Sequence, residues 1–124
     1  MNPALSFLLV DDEEAIVVSL RHLIERLFPG APIATALDGQ EGWELLQKRT
    51  PSVVISDLSM PGLSGIELCK KTKAHPTLAS TYFIILTAFS SKEQRVMALE
   101  NGADDFLAKP IAADELLARL RSAA

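Results

Sequence analysis

Short apolar runs alternate along the chain with longer segments in which apolar residues return at helical spacing. Phe7 to Val10 is apolar on both sides, the pattern of a strand buried on both faces. Leu20, Leu23, Ile24 and Leu27 then follow the spacing of an amphipathic helix, which Pro29-Gly30 stops. Pro32 to Ala36 is a weaker strand, closed by Asp38-Gly39, and a helix from about Gln40 to Arg49 carries Trp43 and Leu46 on one face. Val53 to Ile55 is a second clear strand and runs straight into Asp57. The loop from Ser59 to Gly65 has turn chemistry throughout, and the next helix places Gly65, Leu68, Cys69 and Thr72 in register before His75-Pro76 closes it. Tyr82 to Leu86 is the strongest strand, ending at Thr87-Ala88. Ser91 and Gln94 form a capping-box pair for a helix that ends at Asn101-Gly102. Phe106 to Ala108 is a short last strand, and a final helix carries Ala113, Leu116, Leu117 and Leu120 on one face. Five doubly apolar strands, each followed by a helix, predict an α/β fold with a parallel sheet covered on both faces.

Composition narrows the class. The 124 residues are expected to form one domain (1–124) with no effector domain attached. A hydrophobic fraction of 48% with a net charge of only −4 excludes a disordered chain. The acidic balance argues against direct nucleic-acid binding through bulk positive charge. No run approaches the ~20 apolar residues of a membrane span, and no basic, apolar leader opens the chain. The single Cys69 cannot form an internal disulfide and is expected in the core; a cytoplasmic location follows as the natural expectation.

In open α/β sheets, ligands bind beyond the carboxyl ends of the strands. Those ends carry Asp11-Asp12, Asp57, Thr87-Ala88 and Lys109-Pro110. Gathered on one edge, three carboxylates repel: two like charges ~4 Å apart cost about 4 kcal/mol at an effective dielectric near 20. Lys109 offsets part of this, and a divalent cation would offset more. Hard oxygen donors without His or Cys point to Mg2+ or Mn2+ rather than Zn2+. With one hydroxyl and one ammonium, these are parts suited to stabilising a transferring phosphoryl group. Taken alone, Asp11-Asp12 could instead cap the first helix. Asp104-Asp105 precedes its strand, so it is expected at the opposite edge as turn chemistry. Trp43 is expected in helix packing, and His22 and His75 on the solvated surface.

The order and spacing of these motifs resemble the receiver domain of two-component response regulators. The residues that carry the resemblance are Asp11-Asp12, Asp57-Leu58-Ser59-Met60-Pro61 with Gly65, Thr87-Ala88, the segment from Ala98 to Asp105, and Asp105 to Pro110. It covers essentially the whole chain. It implies a flavodoxin-like (βα)5 fold with strand order 2-1-3-4-5, an order the general rules for open sheets already associate with a chemotaxis receiver. It implies that Asp57 is the phosphoacceptor, taking its phosphoryl group from a histidine kinase or a histidine phosphotransfer protein. Asp12 would bind Mg2+ directly and Asp11 largely through water, with Asp57 and the Ser59 carbonyl completing the protein's share; Mn2+ would substitute. Thr87 and the Ala88 N–H would contact the phosphoryl oxygens, and Lys109 would pair with them. Thr87 and Phe106 would act as the switch, shifting the surface of the fourth helix, fifth strand and fifth helix toward a downstream protein. The Lys109-Pro110 bond is expected to be cis, aiming Lys109 into the site.

Two positions, Ser59 and Phe89, border the phosphoryl group in that family and tune its hydrolysis. Phe89 is bulky there; it would restrict water and lengthen the phosphorylated lifetime, unless it packs outward against the fourth helix. Alternatives remain open. A dehalogenase-type phosphatase would want a second Asp where Ser59 stands. A flavin-binding protein would need a Gly- and hydroxyl-rich loop where Asp11 to Glu14 stand. A pseudo-receiver used only for docking would need none of the chemistry. On the receiver reading the chain is not an enzyme turning over a separate substrate.

Overall fold

The computed structural model describes residues 5–88 and 91–123. The elements alternate without exception: β1 (Phe7–Val10), α1 (Glu14–Leu27), β2 (Ile33–Ala36), α2 (Gly39–Lys48), β3 (Val53–Ser56), α3 (Gly65–Ala74), β4 (Tyr82–Thr87), α4 (Lys92–Glu100), β5 (Asp105–Ala108) and α5 (Ala113–Ala123). The strands form one parallel sheet in the order β2-β1-β3-β4-β5. The chain leaves β1 toward one edge for β2 and returns toward the other for β3, which puts the switch point between β1 and β3.

Alternation along each central strand builds two cores. Leu8, Val10, Val54, Phe83 and Ile85 face one side, where they meet Leu46 of α2, Leu68 and Cys69 of α3, and Ala98 of α4. Phe7, Leu9, Val53, Ile55, Ile84 and Leu86 face the other, where they meet Leu20 and Ile24 of α1 and Leu116 and Leu120 of α5. At about 25 cal/mol per Å2 of apolar surface, burial on both faces is the main stabilising contribution. Gly42 lets α2 lie close to β1: a Cβ there would stand 3.0 Å from Val10.

The boundaries differ from the sequence expectation in instructive ways. β2 begins at Ile33, and three of its four residues are only half-buried because it is an edge strand. α1 starts at Glu14, well before Leu20, with Val17 buried. α2 starts at Gly39, because the Asp38 carboxylate accepts from the Glu41 N–H at 2.7 Å. α3 has a full capping box between Ser64 and Glu67, and α4 has the one expected between Ser91 and Gln94. His75 is not a freely solvated side chain. It is half-buried at the end of α3, its Nδ1 accepts from the Thr77 N–H at 3.2 Å, and its ring meets Trp43 edge-on at 6.2 Å. Lys71 covers the same indole at 4.9 Å. Cys69 is fully buried, and desolvation pushes its thiol up to about 12. Among the described residues, no helix is long and apolar enough to cross a membrane.

Candidate functional site

Parallel pairing forces all five strand ends to one edge of the sheet. The register sets Val10 beside Ser56, Ser56 beside Ile85, and Thr87 beside Ala108. The ladder then runs one residue past three strands. The Asp11 N–H donates to the Ala36 carbonyl at 3.2 Å, the Asp57 N–H to the Val10 carbonyl at 2.9 Å, and the Lys109 N–H to the Thr87 carbonyl at 2.9 Å. Asp11, Asp57 and Lys109 are therefore placed by backbone hydrogen bonds before their side chains interact.

The side chains converge. Asp11, Asp12 and Asp57 each offer a carboxylate oxygen, and the three oxygens lie within 4.8 Å of one another. Lys109 Nζ stands 2.6 Å from Asp11 Oδ2 and 3.4 Å from Asp57 Oδ1. The ammonium thus pairs first with Asp11, a preference the sequence does not reveal. The other Asp11 oxygen accepts from the Glu13 N–H at 2.9 Å. One side chain fills both roles open at the sequence level, turning the chain into α1 with one oxygen and binding the cluster with the other. Asp12 points its exposed carboxylate at the rim.

With all three acids ionised, three carboxylates against one ammonium leave a formal charge of −2. Burial holds the Asp57 carboxyl above its usual range, and the Asp11 charge adds to this against the pull of Lys109. Burial lowers Lys109, but hydrogen bonds and charges from Asp11 and Asp57 outweigh it and raise the ammonium overall. The donor set is all oxygen, with neither His nor Cys, and it carries the excess negative charge that a small hard dication neutralises. The residues fit Mg2+.

Thr87 is buried at the end of β4, and Ala88 follows it exposed. Ser59 is exposed two residues after Asp57. Phe106 is half-buried on β5 and packs against the core on the α2–α4 side. Phe89 lies outside the described residues. The Lys109–Pro110 peptide bond is cis. Beside the cluster, a groove of about 970 Å3 runs between α1 and the segment after β5, lined by Ile16, Leu20, Leu23, Lys109 and Ile111.

Ser56 escapes the sequence reading, and Gly65, named there as part of a motif, has a role that the sequence does not specify. Ser56 is fully buried, and its hydroxyl donates to the Asp57 carbonyl at 2.9 Å. Gly65 is required by close approach: a Cβ there would stand 2.0 Å from the Asp57 carbonyl oxygen. A lone Ser closing a Val-Val-Ile run was the only available signal for the first. At the opposite edge, Asp104 and Asp105 lie where expected but do more than shape a turn. Asp104 pairs with Lys73 at 2.8 Å and accepts from the Phe83 N–H at 2.8 Å. Asp105 accepts from the Tyr82 hydroxyl at 2.5 Å and lies 3.6 Å from Arg119.

A doubly wound five-stranded sheet with acids, a hydroxyl and a lysine at its carboxyl edge is an arrangement suited to handling a phosphoryl group. Comparison with known proteins narrows this. Residues 7–121 match the response regulator receiver domain. The phosphate regulon transcriptional regulatory protein PhoB of Rhizobium meliloti is 41% identical over 113 residues, which is 91% of this chain and 49% of that protein. Response regulator MprA of Mycolicibacterium vanbaalenii is 40% identical over 115 residues, or 93% and 48%. Among solved structures, chemotaxis protein CheY4 of Vibrio cholerae superposes with a TM-score of 0.88 at 30% identity, covering 98% of this chain and all of that one. The chain belongs to the response regulator receiver domain family. It spans about half the length of the curated relatives it matches.

Proposed function

We propose that this chain is a cytoplasmic phosphoacceptor switch, one receiver module over residues 1–124, in which Asp57 takes a phosphoryl group from a histidine kinase or a histidine phosphotransfer protein. The observation that carries this reading is the meeting of Asp11, Asp12 and Asp57 within 4.8 Å, with Lys109 Nζ in reach of two of them. Asp11, Asp12, Asp57 and the Ser59 carbonyl would hold Mg2+, or Mn2+ in its place. When bound, the cation supplies charge neutralisation and in-line orientation for phosphoryl transfer.

The chain's own residues supply the rest. An Asp57 carboxylate oxygen attacks phosphorus while the phosphorus–nitrogen bond of the phosphohistidine breaks, and the imidazole leaves with the electron pair. Lys109, already 3.4 Å from Asp57, turns from Asp11 toward the new phosphoryl oxygens. The Thr87 hydroxyl and the Ala88 N–H take further oxygens. The added charge draws Thr87 inward, and Phe106 turns into the space behind it. This alters the surface of α4, β5 and α5. Val96, Met97 and Leu99 of α4 are each more than 40% exposed, which suits that surface to a protein partner rather than to nucleic acid. The groove between α1 and the segment after β5 opens beside Lys109 and gives the donor protein an approach.

The test is incubation with Mg2+ and acetyl phosphate, followed by intact-mass spectrometry. One stable phosphoryl group, absent in Asp57→Asn and absent after chelation, is the expected result. No incorporation would leave a docking module, and continuous phosphate release with rapid turnover would make the chain a phosphatase.

A further inference from the structure

Strand β3 ends its apolar run on a hydroxyl. Ser56 is fully buried, and its Oγ donates to the carbonyl of the next residue, Asp57, at 2.9 Å. A buried carbonyl leaving the sheet ladder needs a donor from within the chain. That carbonyl belongs to the peptide joining Asp57 to Leu58. The other end of the same planar unit is the Leu58 N–H. One rigid plane therefore connects the Ser56 hydroxyl to the backbone that bears the acceptor side chain. Its far face lies against Gly65, where even a Cβ would collide with the carbonyl oxygen at 2.0 Å. The preceding N–H is already fixed on Val10 at 2.9 Å.

We propose that Ser56 is a positioning residue for the phosphoacceptor: its hydroxyl holds the Asp57–Leu58 peptide and so fixes the backbone from which the Asp57 carboxylate projects. The inference rests on the phosphoacceptor reading above. The close approach of the Gly65 backbone limits how far the plane can turn, so losing the hydroxyl permits a tilt rather than a flip. Removing the hydroxyl releases that tilt. A misplacement of 1 Å can cost about 100-fold in rate, so a partial tilt is worth about tenfold. Threonine keeps a donor and suits a strand, whereas alanine has none.

The experiment compares wild type, Ser56→Ala and Ser56→Thr in the full chain. It reads three quantities: the rate of phosphoryl uptake from acetyl phosphate with Mg2+, the Leu58 amide resonance without Mg2+, and Tm. In Ser56→Ala the expected result is about tenfold slower uptake with a displaced Leu58 amide. In Ser56→Thr both return toward wild type. A lower Tm in Ser56→Ala with uptake unchanged would make Ser56 merely structural and overturn the proposal, as would an unmoved Leu58 amide. If wild type itself takes up no phosphoryl group, the receiver reading fails first, and the amide comparison still decides whether Ser56 orients that peptide.

Discussion

Each edge of the sheet carries a pair of adjacent aspartates, and the two pairs live in opposite electrostatic conditions. At the amino edge, Asp104 has Lys73 and the Phe83 N–H, and Asp105 has the Tyr82 hydroxyl and Arg119. Each acid there has its own partners. At the carboxyl edge, Asp11 and Asp12 are joined by Asp57, and a single ammonium serves the cluster. The first arrangement is compensated and stabilises the fold. The second keeps unbalanced negative charge under partial burial, which costs stability and leaves a demand for an incoming cation. Uncompensated charge, rather than the presence of acids, separates a site from a structural clamp.

The largest effect expected from breaking this contrast is at Asp57. Asp57→Asn abolishes phosphoryl uptake entirely in the mass-spectrometric assay. It also raises Tm in calorimetry without Mg2+. The folded-state pKa of Asp57 lies above its unfolded value, so the folded chain binds that proton more tightly. Its contribution to stability is fully present below the unfolded pKa and is lost as the pH rises through the folded one. At neutral pH the ionised group therefore opposes folding, and the amide relieves it. A fall in Tm would contradict this sign.

Next comes Lys109→Ala, which leaves the buried Asp11 without its cation. Removing one member of a buried pair costs about 3 kcal/mol. Added Mg2+ is expected to raise the Tm of this variant more than that of wild type, because it replaces the missing charge. Equal increments would mean that Lys109 does not balance the cluster.

At the amino edge, Lys73→Ala is expected to cost about 1–2 kcal/mol in urea unfolding, since it removes a partly exposed pair and a donor to the Thr81 carbonyl. Phosphoryl uptake should be unchanged; a slowed rate would show that the two edges are coupled. Smallest is Tyr82→Phe, at about 1 kcal/mol. Burial and the Asp105 hydrogen bond push the Tyr82 phenol up to about 12. As the chain's only tyrosine, it reports this directly in an ultraviolet pH titration, and ordinary titration near its free value would mean the bond to Asp105 is absent.

Much of the fold is legible in the sequence because the three central strands, β1, β3 and β4, are buried on both faces and read as continuous apolar runs. The edges are harder. β2 holds Thr35 among half-buried neighbours, and β5 begins on a charged residue, Asp105, that its interior pattern does not announce. The acidic cluster was legible because parallel topology alone brings strand ends together. Partner choice was not. Nothing in the chain's local spacing says that Lys109 prefers Asp11 98 positions away, or that Lys73 reaches Asp104 across 31. The setting of His75 is hidden for the same reason: its indole neighbour lies on another helix. Ser56 and Gly65 act through main-chain atoms, which a pattern of side chains does not display.

β5 has a neighbour on one side only, and its last backbone link to that neighbour joins Lys109 to Thr87 at 2.9 Å. Hydroxyl carrier and ammonium carrier are thus tethered through their main chains at the open border of the sheet. On the proposed switch, an inward draw on the first would pass to the second through this link, and among the described residues no strand pairs with the outer side of β5.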